Sequence, residues 1–117
     1  MRISERKLNP SLKKQILTEF VQTILDFKKF KDLETFVKDF FNDSELETFT
    51  KRLAVVYWLK KKRSYNNIKD NLKVSSATIA TVQNLLDTSG IKLAIKKMEA
   101  EEWANKWSEK IKGITKK

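Results

Sequence analysis

Residues Ser64–Leu86 read SYNNIKDNLKVSSATIATVQNLL. From Ile68 the next inward apolar residue is Leu72, then Val74, then Ile79 and Val82, with Leu85 and Leu86 behind them. One apolar residue per helical turn, a small apolar plug at a bend, and the same rhythm resumed predicts two short helices, near 65–72 and 76–87. They cross over a tight turn at Lys73-Val74-Ser75, as in a helix-turn-helix. Taken alone, the spacing equally describes two ordinary packed helices.

The polar residues separate these readings. Helix 76–87 leaves Ser76, Ala77, Thr78, Ala80, Thr81, Gln83 and Asn84 off its core face. Small side chains let a helix approach a DNA groove closely. Hydroxyls bond phosphates or base edges, and Ala meets a thymine methyl. Charge concentrates in the same place. Between Lys60 and Leu86 there are six basic residues (Lys60, Lys61, Lys62, Arg63, Lys69, Lys73) against Asp70, a local +5 out of a net +10. A run such as Lys60–Arg63 is often only a solvated helix end. Beside a helix-turn-helix it reads as phosphate contact.

The remainder of the chain is helical. Two Gly and one Pro in 117 residues leave few breaks. Asn9-Pro10 reads as an N-cap followed by proline at the first helical position. Leu12, Ile16, Leu17, Phe20, Val21, Ile24 and Leu25 then form one broad face of a helix near 10–27. Asp32 is the expected cap of a second helix carrying Leu33, Phe36, Val37, Phe40 and Phe41. Ser44 with Glu47 has the form of a capping box opening a central helix, 44–63. Thr88-Ser89-Gly90 reads as a loop before a last helix, 91–112, with Ile95, Met98, Trp103, Trp107 and Ile111 inward. The phenylalanines of the first half lie at core spacing. Six helices in one small domain nevertheless leave the first two with more apolar surface than they can bury, which a subunit interface would absorb.

Composition excludes much chemistry. Hydrophobic residues are 40% and charged residues 34%, which is a globular rather than a disordered balance. No His and no Cys removes Ser-His triads, thiol catalysis, disulfides and nearly all zinc sites. Gly90 and Gly113 cannot build a phosphate-cradling loop. No enzyme, cofactor or metal is therefore expected. The longest apolar run, Leu53–Leu59, is far too short for a membrane span, and Met1–Pro10 has no apolar stretch behind it, so a cytoplasmic protein is expected. Glu99, Glu101, Glu102 and Glu109 break up the polar face that a membrane-surface helix would need. Trp58, Trp103 and Trp107 read as packing residues rather than a ligand cage.

Residues 40–86 resemble the Trp repressor superfamily, and most closely its YerC/YecD-like branch. The carrying residues are Leu53–Leu59 (LAVVYWL), Arg63–Ile68 (RSYNNI) and Val74–Ala80 (VSSATIA), the last matching the family's turn and recognition-helix start. The resemblance implies an all-α, intertwined homodimer in which the N-terminal helices, 10–41, wrap their copies and two helix-turn-helix units (64–87) meet successive major-groove faces. By family position Asn66 and Lys69 contact DNA from the first helix of the motif, and Ser76, Ala77, Thr78, Ala80 and Thr81 from the second. Lys62, Arg63, Lys73, Ser75 and Asn84 complete the expected DNA-binding set.

Departures from the family bear on ligand. Lys73 stands where many members have a left-handed glycine, at a cost of about 1 kcal/mol. Arg52 matches one of two arginines that sandwich the tryptophan indole in the Trp repressor. The second falls on Thr81, which cannot stack, and Leu85 replaces a small polar residue. Tryptophan co-repression is not expected. The resulting expectation is a sequence-specific, double-stranded-DNA-binding transcriptional regulator. Its rivals are an architectural or replication-linked DNA binder with little sequence preference, and a basic helical module that binds RNA or protein.

Overall fold

The computed structural model describes residues 6–101. Six helices and no strand occur among them: α1 (Pro10–Asp26), α2 (Phe30–Phe40), α3 (Asp43–Lys60), α4 (Tyr65–Leu72), α5 (Ser76–Gln83) and α6 (Ser89–Ala100). Trp103, Trp107 and Ile111, expected on the last helix, lie outside the described residues. The chain divides after Leu46 into two compact units.

In the first unit Asn9 caps α1 as its sequence dictates. Its Oδ1 accepts from the N–H groups of Ser11 (2.9 Å) and Leu12 (3.2 Å). α2 starts earlier than expected, with Lys29 at the cap. Asp32 therefore stands in the first turn, where its charge complements the helix dipole without capping it. Phe20 of α1 and Phe27 at its C-cap meet Phe40 and Phe36 of α2, with ring centroids 5.9 and 5.3 Å apart, and Phe36 stacks on Phe40 at 5.2 Å. No residue of α1 or α2 is buried in the single chain. The expectation that the phenylalanines form core is thus met only as a ring cluster, because Phe30 and Phe40 are 80% and 58% exposed.

The capping box of α3 sits two residues before the expected one. Asn42 Oδ1 accepts from the Glu45 N–H at 2.8 Å, and Glu45 Oε1 accepts from the Asn42 N–H at 3.0 Å. The asparagine side chain takes the Glu45 N–H and the glutamate takes the N–H of Asn42, which leaves Ser44 inside the first turn rather than at the N-cap.

The second unit is built on the C-terminal half of α3. Val55, Val56, Tyr57 and Trp58 are consecutive and all buried. At 3.6 residues per turn four successive residues circle the helix, so this stretch is covered on every side. Ile68 of α4, Ile79 and Val82 of α5, and Ile95 and Met98 of α6 complete the core, with Leu72, Val74 and Leu86 packed against it. Three boundaries differ from the sequence expectation, the first being the end of α3, which stops at Lys60 rather than at 63. α5 ends at Gln83, because the chain tightens there into i→i+3 bonds (Leu85 N–H to Val82 O, 2.8 Å; Leu86 N–H to Gln83 O, 3.2 Å). The Thr88 hydroxyl then donates to Leu85 O at 2.6 Å. Only Thr88 lies between these turns and α6; Ser89 and Gly90 belong to the helix rather than to a loop.

Candidate nucleic-acid interface

The helix-turn-helix is assembled by its own caps. Ser64 Oγ accepts from the Asn67 N–H (3.1 Å) to start α4, and Ser75 Oγ accepts from the Thr78 N–H (3.1 Å) to start α5. Between them Lys73 is left-handed (φ 56°, ψ 52°), and its N–H closes α4 on Lys69 O at 2.9 Å. This is the conformation that the missing glycine would have taken without strain. Val74 follows half-buried against the core, as the plug of the turn.

A second left-handed lysine precedes the motif. Lys62 has φ 65°. Its N–H bonds Leu59 O (2.9 Å) while the Arg63 N–H bonds Trp58 O (3.1 Å), the paired bonds of a Schellman close on α3. Nothing in the sequence announces it, since lysine carries no preference for positive φ. The basic run 60–63 is therefore folded around a turn rather than laid along one helix.

The structure distributes the expected DNA-binding residues as follows. Ser75, Ser76, Ala77, Thr78, Ala80, Thr81 and Asn84 are all exposed, while Ile79 and Val82 between them are buried. Lys62, Asn66 and Lys73 are also exposed, and Arg63 and Lys69 are half-buried. The guanidinium of Arg63 lies over the Trp58 ring at 4.6 Å, and its Nη1 donates to Asn67 Oδ1 at 3.1 Å. Lys61 is engaged elsewhere: its Nζ bonds Glu99 Oε2 at 3.0 Å and stands 5.3 Å from the Tyr57 ring centre. The Glu99 carboxylate holds its pKa above the usual lysine value. Lys60 is exposed.

The hydroxyls of α5 are oriented. Thr81 Oγ1 donates to Ala77 O at 3.0 Å, and Thr78 Oγ1 pairs with Ser75 Oγ at 3.0 Å. Thr81 has spent its proton on the backbone, so its hydroxyl presents lone pairs outward. A groove of about 460 Å³ runs between α3 and the turn, lined among others by Thr48, Lys51, Arg52, Lys73, Thr78 and Thr81. Lys51 reaches Glu47 Oε2 at 3.0 Å and Lys73 O at 3.4 Å. Arg52 lies 5.5 Å from the Phe49 ring centre. Thr48 and Lys51 were missed by sequence reasoning. Their spacing from Arg52, four and one residues back on one helix, was the available signal for Thr48.

Among the described residues no group of acidic, His or Cys side chains could hold a metal ion, and no helix is long and apolar enough to cross a membrane. A comparison with curated proteins finds no match. The family model described as Trp repressor protein matches residues 15–101, which takes in both units and the whole helix-turn-helix. The chain belongs to the Trp repressor family, a family of helix-turn-helix DNA-binding regulators.

Proposed function

We propose that this protein is a homodimeric transcriptional regulator that reads specific sites in double-stranded DNA by laying α5 in the major groove, without a small-molecule co-repressor, in the cytoplasm. The observation that carries this reading is the division of α5. Ile79 and Val82 are buried, while the small or hydroxyl-bearing Ser76, Ala77, Thr78, Ala80 and Thr81 are exposed, as is the amide of Asn84 at its C-cap. A helix with that outer face approaches base edges closely. The exposed cations Lys62 and Lys73, in the turns before and after α4, serve phosphates, while Asn66 and Lys69 reach the DNA backbone from α4. The homodimer is supported by the apolar side chains that α1 and α2 expose, which a second copy would cover.

The test is the ratio of specific to non-specific affinity at one salt concentration, after selection of the preferred site from random DNA. Thr78→Ala and Thr81→Ala each lower affinity for the preferred site by on the order of 1–3 kcal/mol and barely change affinity for random DNA. A wild-type ratio near one means there is no site to read, and an architectural binder takes the regulator's place.

A further inference from the structure

Tyr65 is the first residue of α4 and Gln83 the last of α5. The Tyr65 hydroxyl donates to Gln83 Oε1 at 2.5 Å. The turn at Lys73–Ser75 joins the near ends of the two helices, and this bond joins their far ends. The geometry points to a latch: Tyr65 and Gln83 are positioning residues that set the angle of the recognition helix, and so its register on base edges. The inference rests on the proposed reading of DNA by α5 and adds residues that contact no base.

The need for a latch follows from the core. Ile68, Ile79 and Val82 hold α4 and α5 together by apolar burial, which is non-directional and tolerates small rotations. Each helix is eight residues, about 12 Å long. Pivoting α5 about the turn by about 5° moves its far end by about 1 Å over that length. A base-edge hydrogen bond has a working range of only about 0.5 Å, so such a swing breaks contacts made from Thr81 and Asn84 while leaving the helix intact. The hydroxyl–amide bond is short and directional. Both of its partners are anchored on helix backbone at the point where the lever arm is longest. Tyr65 is 40% exposed, and the ring keeps its place if the hydroxyl is removed, so the bond can be deleted without opening a cavity.

The experiment uses Tyr65→Phe, Gln83→Ala and the double variant of the full-length protein. In the free protein, amide hydrogen exchange across α5 accelerates severalfold in each single variant and no further in the double. With DNA at fixed salt, the specific-to-non-specific ratio falls about five- to tenfold in each single variant, again no further in the double, and non-specific affinity stays within twofold. Unchanged exchange, or additive losses in the double variant, overturns the latch. Loss on all DNA from Tyr65→Phe with none from Gln83→Ala also overturns it, because Tyr65 would then be a phosphate contact. If wild type reads no site, the ratio is near one from the start. That overturns the positioning role through the failure of base reading, and the exchange data then report separately whether the bond formed.

Discussion

The guanidinium of Arg63 rests on the indole of Trp58, 4.6 Å from the ring centre, while its neighbour Lys62 turns into a left-handed close and leaves its side chain exposed. Adjacent cations in one basic run thus have different employment. Arg63 ties the end of α3 to α4 through Trp58 and Asn67. Arg63→Ala is expected to cost about 1 kcal/mol of stability, the value of a half-buried cation–aromatic contact, in addition to any loss of DNA affinity. Lys62→Ala weakens binding to all DNA alike and lowers the salt slope by about one unit, with no loss of stability. Chemical denaturation and DNA titrations across salt separate the two.

The left-handed lysines make the opposite trade. A side chain at positive φ costs about 1–2 kcal/mol, part of which glycine gives back by loosening the unfolded chain. Lys62→Gly and Lys73→Gly should each stabilise the fold by roughly 0.5–1 kcal/mol net and weaken DNA binding through the lost cation. Stability and affinity move in opposite directions, unlike in Arg63→Ala. Equal or lower stability in both variants rejects the strain argument.

The helix-turn-helix was legible in the sequence because its parts follow local rules: one inward apolar residue per turn and an apolar plug at Val74. The hydroxyl N-caps at Ser64 and Ser75 follow a local rule too but were not read. The all-round burial of Val55–Trp58 was not anticipated, because the run Leu53–Leu59 reads only as too short for a membrane span and as part of the family resemblance. What sequence could not reach depends on tertiary geometry. The hydrogen bond of Tyr65 to Gln83 spans eighteen positions. The positive φ of Lys62 has no marker without a glycine. At the start of α3 two overlapping capping patterns competed, and reading Ser44 and Glu47 chose the wrong one.

That competition is measurable. Asn42 and Glu45 exchange hydrogen bonds across the start of α3, at 2.8 and 3.0 Å. Asn42→Ala is expected to cost about 1 kcal/mol of stability. Ser44→Ala, inside the first turn, stays within about 0.5 kcal/mol of wild type. The reverse order of losses on denaturation would restore the later capping box.

Free tryptophan should leave DNA affinity unchanged. The groove beside α5 offers Arg52 as a planar cation, and Arg52 already lies against Phe49 at 5.5 Å. Thr81, with its proton given to Ala77 O, lines the groove where a second stacking arginine would be needed. An indole held on one face only loses the sandwich that makes such a site selective. DNA titrations with and without millimolar tryptophan decide it. A tenfold tightening, about 1.4 kcal/mol, would mean the groove holds the indole by other contacts.

Assembly follows from what α1 fails to bury. Leu12, Ile16, Leu17, Val21 and Leu25 are all exposed in the single chain, Leu25 to 72% and Leu17 to 61%, and Phe30 of α2 is 80% exposed. Single exposed leucines are ordinary, but a row repeating every four or five residues along one helix is a continuous apolar stripe. Leaving it in water forgoes about 25 cal/mol for each Å² that a partner would cover, a gain that accumulates along five large side chains. The chain is therefore expected to be a dimer at micromolar concentration and below, with light scattering giving twice the mass of one chain. Leu17→Glu places a carboxylate in the middle of the stripe, where burial without a partner costs several kcal/mol. It should shift the protein toward monomer and lower its stability together. A matched control, Thr18→Glu, one position away on the same exposed helix, should leave the mass unchanged. A folded wild-type monomer at micromolar concentration, or equal effects of the two substitutions, would leave the stripe without a second copy to cover it.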